Sequence, residues 1–315
     1  MPLKDRYRES FLIGAAVSRR VIERNKELLI REFNCLTCEN AMKYGSLTSD
    51  GIHYHFEEAD WIRDFARENG FKLRGHTAVW HYQTPEVIFQ NTTREKLIST
   101  MKHHIDILAE RYGKDVFCWD VVNEAVVCEP GTFYRKSPWH EIIGDDYLDI
   151  AFSYMKQILP EAQMCYNDYD EASEEKGQRM YDLVKGMKER GVPVDVVGFQ
   201  SHYFADNPSL DQVRRAFERF AGLGVRLHVT ELDVSVLDRN INEDNDVQPF
   251  ILTPELQERQ VRYFEGLFSI YQEYREILDC VTTWGVTDEY SWRDNRHTGA
   301  KTRPLLFDSN GQAKI

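Results

Sequence analysis

The sequence predicts an α/β fold, a closed (β/α)8 TIM barrel formed by residues 1–315 as one domain. Three observations predict it. Short apolar or β-branched runs recur eight times; longer stretches with helical spacing separate them; and polar side chains gather where the short runs end. Alternating strands and helices imply a parallel sheet, because a parallel neighbour needs a crossover. Eight such units in a chain somewhat above ~250 residues suit a closed barrel. An open doubly wound sheet would place a glycine-rich phosphate turn after its first strand, and none follows FLIGAAV.

In order, the predicted strands are FLIGAAV (11–17), FNCLTC (33–38), KLRGHTAVW (72–80), VFCWDVVNE (116–124), QMCYND (163–168), VVGFQSHY (196–203), RLHVTELDV (226–234) and CVTTWGVTD (280–288). Helical stripes lie between them. After the third run, Leu97, Ile98, Met101, Ile105, Leu108, Ala109 and Tyr112 recur at three- and four-residue intervals. After the fourth, Tyr147, Leu148, Ala151, Tyr154, Met155 and Ile158 do the same and stop at Pro160. Leu210, Val213, Phe217 and Phe220 form another stripe, as do Val261, Phe264, Leu267, Phe268 and Tyr271. Gly70, Gly191 and Gly224 each fall just before a strand, where helices end. Linkers, repeats and low-complexity tracts that would mark a second domain are lacking.

A chain of 315 residues buries enough surface to hold a core without disulfides or metals. Its net charge of −13 repels polyanions, which argues against nucleic acid and anionic membranes as partners and is indifferent to a neutral polymer. No run approaches the ~18–20 apolar residues of a membrane span. In the start, MPLKDRYRESFLIGAAV, the apolar run is short and reads as a strand, not as the apolar stretch of about 7–15 residues in a secretory leader. The expectation is therefore a cytoplasmic protein, or a secreted one if a leader was removed. Of six cysteines, Cys118, Cys165 and Cys280 sit in apolar runs and read as buried thiols. Cys35 and Cys38 form a lone CxxC with no second motif to complete a zinc set. Neither a metal nor another cofactor is expected.

The strand ends carry the chemistry. The second brings Glu39 and Asn40, with Lys43 close behind; the third His76, Trp80, His81 and Gln83; the fourth Asn123 and Glu124; the fifth Asn167, Asp168 and Tyr169. The sixth brings Gln200 and His202, the seventh Glu231 and Asp233, the eighth Trp284, with Trp292 in the loop beyond. One carboxylate at such a place is as well explained by structural pairing. Two glutamates on opposite sides of one mouth suit glycoside hydrolysis, in which one carboxyl protonates the leaving oxygen and the other attacks the anomeric carbon; retaining enzymes hold them about 5–5.5 Å apart. Asp233 and His202 are positioned to form a relay that keeps Glu231 ionised as nucleophile. Glu124, expected in less cationic surroundings, takes the acid/base role, and Asn123 reaches the sugar 2-OH. Trp80, Trp284 and Trp292 around the mouth read as sugar platforms among polar donors.

WDVVNEAV resembles the acid/base segment of glycoside hydrolase family 10, the endo-1,4-β-xylanases on a (β/α)8 barrel, and VTELDV resembles the nucleophile segment. RGHTAVWH, YNDY, GFQSH, WGVTDEYSW and RPLLFD are similar to further blocks in the family's order, covering roughly residues 10–308. The resemblance implies a retaining endo-1,4-β-xylanase acting on xylan or xylo-oligosaccharides, with Glu124 as acid/base, Glu231 as nucleophile, and His202 and Asp233 supporting it. It also implies that Glu39, Asn40 and Lys43 bind on the glycone side. His76, Trp80, His81, Gln83, Gln200, Trp284 and Trp292 would line subsites −2 and −1, Asn123 would hold the 2-OH, and Tyr169 would stack on the aglycone side. Departures are Cys38 where proline is usual, and Tyr44 and Phe89 where tryptophan is usual. In the loop WRDNRHTGAKTRPLLFD, Arg293, Arg296 and His297 depart further; a solvated surface is expected there, with contacts to 4-O-methylglucuronic acid branches as the alternative.

Two other classes compete. A metal-dependent barrel hydrolase would gather His76, His81, His202 and His228 around an ion, but the HxH common at the first strand's end is missing. A non-catalytic carbohydrate-binding barrel would lack one of the two glutamates, and both are present.

Overall fold

A computed structural model describes residues 1–236, 252–294 and 301–315. The strands are β1 (Leu12–Val17), β2 (Cys35–Cys38), β3 (Lys72–Trp80), β4 (Val116–Asn123), β5 (Gln163–Asp168), β6 (Val196–Phe199), β7 (His202–Phe204), β8 (Arg226–Ser235) and β9 (Leu278–Thr283). The helices are α1 (Leu3–Arg6), α2 (Arg19–Glu32), α3 (Tyr44–Leu47), α4 (Glu57–Glu68), α5 (Arg94–Tyr112), α6 (Pro138–Ile143), α7 (Tyr147–Ile158), α8 (Glu174–Glu189), α9 (Leu210–Ala221) and α10 (Pro254–Glu273).

Parallel pairing runs from β1 through β6, passes to β8 and β9, and returns from β9 to β1, closing the barrel. The helices start where hydroxyls stand ready. Ser18, Thr93, Ser137, Ser173, Ser209 and Thr253 each accept a backbone N–H at the first turn of α2, α5, α6, α8, α9 and α10. Gly70, Gly191 and Gly224 sit at φ +73°, +78° and +65°, reversing the chain from helix into strand as their positions predict.

Two predicted strands come out differently. The run 196–203 is two strands, because Ser201 adopts a left-handed φ of +56° and breaks the ladder; β7 then pairs with β8, His202 opposite Asp233. The run 280–288 stops at Thr283, where the Trp284 N–H turns to the carbonyl of Leu232 and Gly285 leaves the strand at φ +139°.

Strict alternation would put Asp120 and Asn123, three residues apart, on opposite faces of β4. Both face the barrel interior, because the register slips between Asp120 and Val122 against β5 and between His76 and Val79 against β3. A third slip on β8 lies between Val229 and Leu232. These bulges re-aim the strand ends into the mouth. Below them the barrel floor is polar: Arg74 reaches Asp120 and His228, with the buried thiols of Cys118, Cys165, Cys35 and Cys280 around it. Cys35 and Cys38 fall on opposite faces of β2, so the CxxC forms no thiol pair, and Cys128 is exposed.

Candidate active site

Glu231 lies on the inward face of β8 and is buried. Its Oε1 accepts from Asn167 Nδ2 at 2.8 Å, and its Oε2 faces His202 Nε2 at 3.2 Å. The other nitrogen of that ring, Nδ1, is 3.0 Å from Asp233 Oδ2, which also accepts from Trp292 Nε1 at 2.8 Å. Burial works against a charged His202, but Asp233 and Glu231 outweigh it and raise the imidazole to about 9. As an imidazolium it donates to both carboxylates. Burial likewise works to raise Glu231, yet the His202 hydrogen bond and the nearby His76 and His202 charges bring it below the usual carboxylate range.

Glu124 follows the last residue of β4 at a left-handed φ of +58°. Four contacts hold it there. Its N–H donates to the Asn167 carbonyl at 2.9 Å, and Arg135 Nε donates to its own carbonyl at 2.9 Å. Trp80 Nε1 donates to Oε2 and Gln200 Nε2 to Oε1, each at 3.0 Å. A strained backbone persists where its surroundings over-determine it. The expectation of less cationic surroundings for Glu124 is not met: the β4–α6 loop folds back through Arg135 N–H to the Ala125 carbonyl and seats a guanidinium behind the carboxylate. His81, 4.0 Å from Glu124, is kept neutral by burial and by the Arg135 charge, which lower it to about 4.

The two glutamates share one hydrogen-bonded chain. Gln200 Nε2 joins Glu124 to Asn123 at 3.0 and 3.4 Å; the Asn123 and Asn167 amides are 2.8 Å apart; Asn167 reaches Glu231. The chain follows from register, since Trp80 lies opposite Asn123 and Asn123 opposite Asn167.

On the rim, Lys43 Nζ donates to Asn40 Oδ1 at 2.9 Å and lies 4.9 Å from the centre of the Trp80 ring, with burial lowering its pKa. Glu39 is buried beside them. His76 bonds Asp120 at 2.9 Å, and Trp284, buried, stands edge-on to His76 and His202. Trp292 is about half exposed at 47%, with its ring centre 4.9 Å from that of His202. Gln83 is exposed and joins the rim through its carbonyl, which accepts from Gly45 N–H. Tyr169 is held by Arg135 at 2.7 Å, with Lys176 4.1 Å above its ring.

Arg293 is a correction. Neither a solvated residue nor a branch contact, it is buried, with Nε 2.8 Å from Asp233 Oδ1. A carboxylate sealed behind the relay needs a counter-charge, and the loop supplies it. Arg296 and His297 lie outside the described residues. Asn167 and Arg135 had no assigned role in the sequence, and Arg293 had only the surface and branch readings. Asn167 stood visibly at a strand end, but its bridging place depends on the β4–β5 register, and loop arginines carry no periodic signal.

The four histidines of the metal reading do not converge. His76 is bound to Asp120, His202 to Asp233 and Glu231, and His228 to the floor beside Arg74 and 3.9 Å from Asp279. Among the described residues no three His, Cys, Asp or Glu side chains are grouped to hold a metal.

Glycosyl hydrolase family 10 matches residues 2–315. Endo-1,4-beta-xylanase A of Caldicellulosiruptor saccharolyticus is 40% identical over 322 aligned positions, covering 100% of this chain and 93% of its own. An endo-1,4-beta-xylanase of Geobacillus stearothermophilus is also 40% identical, covering 99% and 95%. A solved mutant in complex with xylotriose superposes with a TM-score of 0.95 at 38% identity, covering 100% of this chain and 97% of that one. With a closed parallel barrel, two glutamates at its mouth and a match along almost every residue, this chain belongs to glycoside hydrolase family 10.

Proposed function

We propose that the protein is a retaining endo-1,4-β-xylanase that hydrolyses xylan or xylo-oligosaccharides by double displacement. The observation that carries this reading is the Asp233–His202–Glu231 relay, 3.0 and 3.2 Å per step, beside a second, separately held glutamate. A cationic His202 and the Asn167 amide stabilise Glu231 as an anion, as attack on an anomeric carbon requires. As that bond forms, the bond to the leaving oxygen breaks and Glu124 delivers its proton to that oxygen. Glu124, then anionic, takes a proton from water, which displaces Glu231 and restores both groups.

Asn123, between the two carboxyls, takes the sugar 2-OH, where a hydrogen bond strengthens at the oxocarbenium-like transition state. Lys43, Asn40, Glu39 and Trp80 serve the glycone side, Tyr169 with Arg135 the aglycone side. The substrate class comes from the relatives, named for endo-1,4-β-xylanase activity, and from the neighbour solved with xylotriose. Wild type and Glu231→Ala are incubated with xylohexaose and with cellohexaose, and the products separated. Release of short xylo-oligosaccharides by wild type alone, with cellohexaose intact, is expected; cleavage of neither overturns the reading, and equal cleavage of both removes the xylan preference.

A further inference from the structure

Glu171, in the loop between β5 and α8, is fully buried yet belongs to neither catalytic carboxyl's immediate contacts. Its Oε1 accepts from Ser201 Oγ at 2.8 Å and from the hydroxyl of Tyr203. Ser201 is the left-handed residue that separates β6 from β7. A non-glycine residue at that conformation is strained and persists only when pinned. The residues on either side of it are the ones that touch the reacting groups: Gln200 donates to Glu124, and His202 to Glu231.

We propose that Glu171 is a positioning residue for both catalytic carboxyls: its buried carboxyl pins the Gln200–Ser201–His202 turn, whose two ends hold Glu124 and Glu231. This rests on the reading of those two glutamates as the reacting pair. The pin itself is anchored. The N–H of Ser173, which caps α8, donates to the Asp170 carbonyl, and Gly177 lets α8 approach so closely that a Cβ there would lie 2.4 Å from the Glu171 carbonyl oxygen. On the turn's other side the Gln200 N–H bonds the Asp168 carbonyl at 3.0 Å. Without the acceptor, Ser201 loses the contact that pins its left-handed conformation, and with it Gln200 and His202 lose the fixed turn that holds them in place. A shift of about 1 Å at reacting groups costs on the order of a hundredfold in rate.

What the turn needs is an acceptor at Oε1. Burial raises the Glu171 carboxyl above the usual range, so a neutral amide is a fair substitute. The test measures kcat, KM and the pH profile of Glu171→Gln and Glu171→Ala on xylohexaose, with Ser201→Ala and Tyr203→Phe as milder variants that each remove one donor. Glu171→Gln is expected within about threefold of wild-type kcat. Glu171→Ala is expected to lose roughly a hundredfold in kcat at little-changed KM, with both limbs of the pH profile displaced, because both carboxyls lose a partner. Should Glu171→Ala fail to fold, the two milder variants carry the test through the same limb displacements. Wild-type kcat and limbs in the alanine and milder variants, with thermal stability alone reduced, overturn the inference, as does Glu171→Gln as impaired as Glu171→Ala. Failure of wild type itself to cut xylohexaose is a different outcome and defeats the substrate reading.

Discussion

A carboxylate buried behind a reacting centre is a liability unless something answers its charge, and Asp233 is answered twice. Burial works to raise its pKa; the Arg293 guanidinium first and then His202 outweigh burial and bring it below the usual range. An ionised Asp233 is what makes His202 a cation, and a cationic His202 is what holds Glu231 low. Arg293→Met removes the largest of these pulls. Asp233 then protonates at higher pH, and with it goes the support for a charged His202 in the acid range. Depressed carboxylates contribute stability above their unfolded values, ~3.9 for Asp and ~4.3 for Glu, which is lost as pH falls through their folded values. Raising those folded values moves both the acid limb of kcat/KM and the acid unfolding midpoint to higher pH, while the alkaline limb stays. A pH–rate series and an acid melt check this; an acid limb that stays or moves down contradicts it.

At the scale of elements, the active site depends on how closely neighbouring strands approach. Gly198 on β6 lies opposite Asn167 on β5, and a Cβ on Gly198 would stand 2.4 Å from Asn167 Oδ1, the atom that accepts from Thr230 Oγ1. Gly198→Ala must push aside the amide that joins Asn123 to Glu231. The expected result is a ten- to hundredfold loss of kcat with a folded barrel; kinetics beside a thermal melt decide it, and an unchanged kcat refutes it. The same scale explains what the sequence could reveal. The stripe from Leu97 to Tyr112 and the glycines before the strands follow local rules, so strands and helices were legible in order, and so were the polar residues at strand ends. Register slips on β3, β4 and β8 are agreements between neighbouring strands, and no single run encodes them. Ser201 carries no mark of its left-handed turn, because the partner that pins it, Glu171, is thirty residues upstream. Arg293 was misread for a similar reason, since a loop sequence does not say which way an arginine turns.

On the scale of the whole molecule, the chain's last residues lock the barrel near the mouth. The Val234 N–H at the end of β8 donates to the Pro304 carbonyl, and the Asp288 N–H to the Phe307 carbonyl. Gln260 on α10 donates to the carbonyls of Val234 and Arg303, and its own oxygen accepts from Lys314 Nζ. Lys314 also pairs at 2.6 Å with Asp288, a buried carboxylate on the loop that leads to Trp292. Burial raises Asp288 and lowers Lys314, so each favours the neutral form apart from the other's charge. Removing one partner of such a pair costs about 3–5 kcal/mol, because the remaining charge is stranded. Lys314→Met is therefore expected to lower Tm by several degrees near neutral pH. The sign of its pH dependence follows from the stranded acid. Asp288, raised further above its unfolded value, binds a proton in the folded state, so the deficit shrinks in acid and grows as pH rises through the raised value. Lys314→Met with Asp288→Asn leaves no stranded charge and recovers most of the loss at neutral pH. Melting both variants from mildly acidic to neutral pH separates this from simple loss of packing, which would lower Tm equally at every pH and would not be repaired by the second substitution.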